Sequence, residues 1–204
     1  MNKTTGAIHA FENPEEYHGV VVPPIAATTL FAFESFEQLQ AMNDGEIEHY
    51  YYSRHSNPTV RLLEKKLALL EHGEDCRCFA SGMAAISAAI LSVVRPGDHV
   101  VCIKSVYSSA YALFQQYLAE FGVETTFVEG TDPADYEKYR KPNTTLFYLE
   151  SPSSFLYKMQ DIAAITAIAR NHHIRTILDN TWATPLYQNP IDYGVDLVVH
   201  SLSK

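Results

Sequence analysis

The chain reads Ile177-Leu178-Asp179-Asn180-Thr181-Trp182-Ala183-Thr184-Pro185, passes a short loop, and continues Asp196-Leu197-Val198-Val199-His200-Ser201-Leu202-Ser203-Lys204. The runs Ile174 to Leu178 and Val195 to Val199 are rich in β-branched and apolar residues, which fits buried strands of a parallel sheet. Each runs directly into polar residues, and an open α/β sheet presents its ligand-binding groups at the carboxyl ends of such strands. The first run offers a carboxylate, Asp179. The second offers two hydroxyls, Ser201 and Ser203, and an amine, Lys204. Taken singly, a loop aspartate and a surface lysine need no special explanation. Together, an amine, an acid and a hydroxyl-lined phosphate seat are the groups pyridoxal phosphate requires. The lysine attaches it covalently, the acid keeps its ring nitrogen protonated and the hydroxyls hold its phosphate.

Upstream of this stretch, strand and helix patterns alternate. Strands are expected at 77–80, 99–103, 123–128 and 145–149, and helices from Met83 to Val94, Ser109 to Phe121 and Asp161 to Arg170. A short helix is expected over Asp132 to Tyr139. Such alternation predicts an α/β fold, a mostly parallel sheet with helices on both faces. Ser81-Gly82-Met83 lies between a strand and a helix, where free backbone N–H groups at the helix start form an anion site. Tyr107, placed between another strand and helix, is suited to stack on a planar ligand or simply to pack.

Residues 1–50 show no sustained period and read as an N-terminal arm, with a short helix at Phe36 to Met42, leaving 51–204 as the cofactor domain. The apolar, aromatic run Ala26 to Phe33 fits burial on a partner subunit and on its own domain equally well. Asn57-Pro58 reads as a helix start, with a capping side chain followed by proline at the first helical position. That helix is expected to carry Val60, Leu63, Leu67 and Leu70 on one face and to stop at Gly73. Just before it, Tyr52 and Arg54 can bring a phenol and a guanidinium to one phosphate.

Bulk properties narrow the class. The 204 residues are 47% hydrophobic and 19% charged, as in an ordinary globular protein, and the net charge of −9 argues against nucleic-acid binding. No apolar run reaches membrane-spanning length, and the N-terminus lacks an apolar signal core. Three cysteines, Cys76, Cys78 and Cys102, make no complete disulfide set, which points to a reducing, cytoplasmic setting. The cluster from His72 to Cys78 has no zinc-site spacing, and His172-His173 reads as a helix end; both are expected to be structural. The last residue directly follows a strand, so the expectation is a fragment of a longer protein.

These motifs in combination resemble the pyridoxal-phosphate enzymes of cysteine and methionine metabolism, which include cystathionine γ-synthase, the cystathionine lyases and methionine γ-lyase. The likeness spans about residues 20 to 204 and rests on Tyr52-Ser-Arg54 with Asn57-Pro-Thr, Ser81-Gly82-Met83, Tyr107, Glu150-Ser-Pro, Asp179-Asn-Thr181 and Ser201-Leu-Ser203-Lys204. It implies a fold-type-I large domain with a seven-stranded-type sheet, truncated before a C-terminal domain that would carry the substrate-carboxylate arginine. It implies that Lys204, Tyr107 and Asp179 are catalytic. The cofactor would be held by these three together with Tyr52, Arg54, Ser81, Gly82, Met83, Ser154, Thr181, Ser201 and Ser203. Tyr52 and Arg54 would serve a neighbouring subunit, so a homo-oligomer, most often a dimer of dimers, is expected, with no nucleic-acid or membrane partner.

Ser154 stands where the family commonly has Asn, and with Asp179-Asn-Thr-Trp182-Ala183 it leans towards cystathionine β-lyases. Tyr51 leans towards β-lyase or methionine γ-lyase, whereas Ser53, Asn57 and Pro58 follow the γ-type pattern. The implied activity is a C–S lyase releasing a thiol from a sulfur amino acid. An acylhomoserine-type transferase, an aminotransferase and an inactive interaction module are the alternatives.

Overall fold

The computed structural model describes residues 2–204. The chain divides into two compact units, the first holding the chain up to Leu69 with Glu74–Cys78, the second Leu70–Gly73 with Phe79–Lys204. Among the described residues no helix is long and apolar enough to cross a membrane.

The first unit contains α1 (Lys3–His9), a 3-10 turn at Pro14–Tyr17, α2 (Phe36–Asn43) and most of α3 (Pro58–Glu71). Asn57 caps α3, accepting from the Thr59 N–H at 2.9 Å, while its amide donates to Ala26 O at 3.0 Å. An isolated antiparallel bridge joins Leu30 to Tyr52. Of the expected apolar face of α3, Leu67 and Leu70 are partly buried, but its first half is not. Val60 and Leu63 are exposed, and Glu64 and Ala68 are buried instead. Glu64 goes inside because it accepts from the Cys78 N–H at 2.9 Å and pairs with Arg61 at 3.2 Å.

The second unit is a five-stranded, all-parallel sheet in the order β2-β1-β3-β4-β5. Its strands are β1 (His99–Ile103), β2 (Glu124–Val128), β3 (Thr144–Glu150), β4 (Arg175–Asp179) and β5 (Leu197–Val199). The helices are α4 (Gly82–Val93), α5 (Ser108–Ala112), α6 (Leu118–Glu120), α7 (Ala134–Tyr139), α8 (Ile162–Asn171) and α9 (Thr184–Tyr187). A π turn at Leu113–Tyr117 joins α5 to α6, so the expected helix is present with one widened turn.

Successive strand residues point to opposite faces, and the core divides accordingly. Leu146 and Tyr148 of β3 pack with Ile86, Ile90 and Phe114 on one side. Phe147 and Leu149 pack with Tyr136, Ile162 and Ile165 on the other. Burial on both faces explains why β1, β3 and β4 read as near-continuous apolar runs.

The described residues thus supply five strands of the seven-stranded type expected. No strand forms at 77–80: the Cys78 amide is taken by Glu64, and the Cys76 amide by Asp75 at 2.9 Å, so side-chain carboxylates replace a neighbouring strand.

Candidate functional site

The carboxyl ends of β1, β3, β4 and β5 lie along one edge of the sheet. Glu150 ends β3 directly opposite Asp179, which ends β4 opposite Val199 of β5. The strand order reverses between β1 and β3, the place where open α/β sheets leave a crevice for ligands.

The first turn of α4 meets the segment after β5 at this edge. Ser81 is the N-cap, its backbone extended and its side chain accepting from the Ala84 N–H at 3.1 Å. A Cβ on Gly82 would stand 2.7 Å from Ser201 Cβ and 2.8 Å from Ser201 Oγ, so only glycine admits this approach. Ser201 Oγ lies 3.2 Å from Ser203 Oγ, and Lys204 Nζ donates to Ser203 Oγ at 3.3 Å. Unpaired first-turn N–H groups, two hydroxyls and an ammonium therefore converge, which suits a phosphate. The side chain of Met83 packs towards the core, so its backbone is what it can offer.

Thr181 couples this seat to the acid. Its N–H donates to Asp179 Oδ1 at 2.9 Å, and its hydroxyl accepts from the Ser201 N–H at 2.8 Å. Asp179 is buried, and burial raises its carboxyl above the ordinary aspartate value. Hydrogen bonding from Thr181 and the nearby His200 oppose that shift. A buried carboxylate is costly without a cationic partner, and a cationic ring N–H would supply one. Amine, anion seat and buried acid are linked by consecutive contacts, and this donor set fits pyridoxal phosphate.

Tyr107 opens α5 just beyond β1, half-exposed, with its backbone N–H donating to Glu150 Oε2 at 2.8 Å. The other oxygen of Glu150 accepts from the Ser154 N–H, so Ser154 is engaged through its backbone. Burial is the largest influence on Glu150 and raises its carboxyl, against these two hydrogen bonds.

Tyr52 and Arg54 belong to the first unit, where the Arg54 guanidinium lies 4.8 Å from the centre of the Tyr52 ring. His72 and His172 pair with Asp192 and Glu137, each at 2.9 Å. Sequence reasoning passed over Glu150, Asn180 and His200 as site residues. Glu150 and Asn180 lie inside quoted motifs, but their partners are set by the fold.

Residues 4–204 match the family described as "Cys/Met metabolism PLP-dependent enzyme". The chain is 42% identical over 199 residues to an L-methionine gamma-lyase of Treponema denticola, covering 97% of this chain and 49% of the relative. It is 39% identical over 191 residues to an O-succinylhomoserine sulfhydrylase of Pseudomonas aeruginosa, covering 94% and 47%. The fold superimposes on a Campylobacter jejuni structure assigned as O-acetylhomoserine (thiol)-lyase, which contains N'-pyridoxyl-lysine-5'-monophosphate. There the TM-score is 0.93 and the identity 36%, over 100% of this chain and 50% of that one. The chain spans about half the length of these relatives.

Proposed function

Because the chain belongs to the Cys/Met metabolism PLP-dependent enzyme family, we propose that it forms the cofactor-binding part of a C–S lyase that eliminates a thiol from a sulfur amino acid. The observation that carries this reading is the unbroken set of contacts from Lys204 through Ser203, Ser201 and Thr181 to Asp179. When bound, pyridoxal phosphate supplies an aldehyde for amine capture and a cationic ring that accepts the electron pair left at the substrate α-carbon.

Each residue then has a definite task. Ser201, Ser203 and the first-turn amides of α4, including those of Gly82 and Met83, hold the phosphate, with Ser81 fixing that turn. Asp179 holds the proton on the ring nitrogen, and Thr181 orients Asp179. Lys204 Nζ would hold the cofactor covalently and would take up the substrate α-proton. The Tyr107 phenol would face the cofactor ring and would move a proton at the departing sulfur.

The apolar residues Val20, Val21, Val22, Ile25, Leu30 and Phe36 of the first unit are exposed, which supports an arm covered by a second copy of the chain. Tyr52 and Arg54 would then grip that copy's phosphate, in a homo-oligomer working in the cytoplasm. Similarity to the Pseudomonas aeruginosa sulfhydrylase supports a second reading, replacement at the γ-carbon of an acylated homoserine.

The deciding experiment incubates the purified protein with pyridoxal phosphate, treats it with borohydride and maps the label. Label on Lys204 and thiol release from a sulfur amino acid are expected, and Lys204→Ala should lose both. An unlabelled protein would end the cofactor reading. Thiol consumption with an acylhomoserine, without elimination, would favour the transferase.

A further inference from the structure

Glu71, the last residue of α3, is a carboxylate in an unfavourable place. A helix C-terminus carries partial negative charge, which disfavours an acid there. The residue is also buried, and its Oε2 has no hydrogen-bond partner. Burying a carboxylate is costly unless hydrogen bonds satisfy it, so its other oxygen must offset much of this. That oxygen, Oε1, accepts from Asn180 Nδ2 at 2.8 Å and from His200 Nε2. A carboxylate only accepts, so the proton of this contact lies on His200 Nε2.

The two donors occupy telling positions. Asn180 follows Asp179 at the end of β4, and His200 follows β5 in the segment leading to Ser201, Ser203 and Lys204. Asn180 is fully buried, and its amide exchanges hydrogen bonds with Gln188, at 2.9 Å to the Gln188 carbonyl and 2.9 Å from Gln188 Nε2. Gln188 Nε2 reaches on to Ser151 O at 2.7 Å, just past β3. One carboxylate oxygen thus joins the exits of β4 and β5 and, through Gln188, that of β3.

We propose that Glu71 is a positioning residue for this centre: by clamping Asn180 and His200 it fixes the directions in which Asp179 and Lys204 leave their strands. The inference rests on the roles given above to Asp179 and Lys204. Hydrophobic packing alone does not call for a carboxylate here, since an apolar side chain would serve the end of α3 without the cost of burial.

The test uses the cofactor-loaded protein with Glu71→Leu and Glu71→Gln. Glu71→Leu removes the acceptor. It is expected to leave the circular dichroism unchanged, shift the pH dependence of the visible cofactor band and speed cofactor release. It should lower kcat by about ten- to a hundredfold, with KM altered less. Glu71→Gln keeps an oxygen at the same reach and is expected to recover most of this. A Leu variant with wild-type band titration, release rate and kcat would overturn the proposal, as would a Gln variant no better than Leu. If the Leu variant does not fold, His200→Leu removes only the β5 arm of the clamp, and an unchanged band and release rate there would equally overturn it. Failure of the wild-type protein to take borohydride label at Lys204 would instead strike the cofactor reading itself.

Discussion

Glu150 Oε2 accepts the backbone N–H of Tyr107 at 2.8 Å, joining the end of β3 to the turn after β1 across the reversal point of the sheet. Because the same carboxylate also takes the Ser154 N–H, it ties together the segments that follow β1 and β3. Glu150→Ala leaves two backbone donors without a partner and is expected to destabilise the fold by about 1–3 kcal/mol. It should also lower turnover more than cofactor affinity, since Tyr107 is displaced while the phosphate seat is not. Denaturant midpoints and a kcat measurement at saturating cofactor check both parts.

The close approach of α4 to Ser201 predicts a specific failure. Gly82→Ala drives a methyl into Ser201 Cβ, an atom tied to the backbone that cannot swing away. A cost of about 1–3 kcal/mol is expected, much of it appearing as weaker pyridoxal phosphate binding. Adding Ser201→Gly removes both side-chain atoms the methyl strikes, so the double variant should lose less than the two single losses summed. Cofactor titrations of the three variants decide this, and simple additivity would contradict it.

Asp179 ties pH to cofactor. Burial raises its folded-state carboxyl above the usual 3.8, so the folded protein holds that proton more tightly than the unfolded chain does. As pH rises from about 3.8 through the raised value, the cofactor-free protein loses stability. Asp179→Asn has no such proton to lose, so its stability relative to the parent should improve across that window. With cofactor bound, the same variant should retain colour but lose nearly all turnover. Denaturant midpoints of the cofactor-free proteins over a pH series test the first statement, and a thiol-release assay tests the second.

How much of this was legible in the sequence depended on the range of the interaction. The strand at 99–103 emerges with the bounds expected, because burial on both faces leaves an unbroken apolar run. Asn57 caps its helix as its position before Pro58 suggests, a purely local effect. The motifs also place Asp179, Ser201, Ser203 and Lys204 together, because parallel strands deliver their polar ends to one edge. The segment 77–80 reads as a strand from composition, yet its Cys78 amide is claimed by the side chain of Glu64, 14 positions upstream in α3. Likewise, α3 presents Leu63 outward and Glu64 inward because of that ion-paired carboxylate, which no hydrophobic period records. Glu71 meets His200 across 129 positions, and Glu150 meets Tyr107 across 43. Pairings of that separation come into view only once the sheet order is known.

The pairing of Arg54 with Tyr52 supports a prediction about assembly. Arg54 rests against the Tyr52 ring and is exposed, so the guanidinium is free to face an anion. If these two residues serve a neighbouring copy's phosphate, Arg54→Ala and Lys204→Ala damage different parts of one shared site. In a mixed dimer, one site would then carry both lesions and the other neither. Each variant alone should be nearly inactive. Co-refolded mixtures should recover up to about a quarter of wild-type activity, since about half the subunits pair as mixed dimers and each mixed dimer holds one intact site. Cofactor retention by Arg54→Ala should fall at the same time, because a charged hydrogen bond to the phosphate is lost. Titrating one variant into the other and following thiol release checks the arrangement, and a mixture no more active than its parts would place Arg54 outside the shared site.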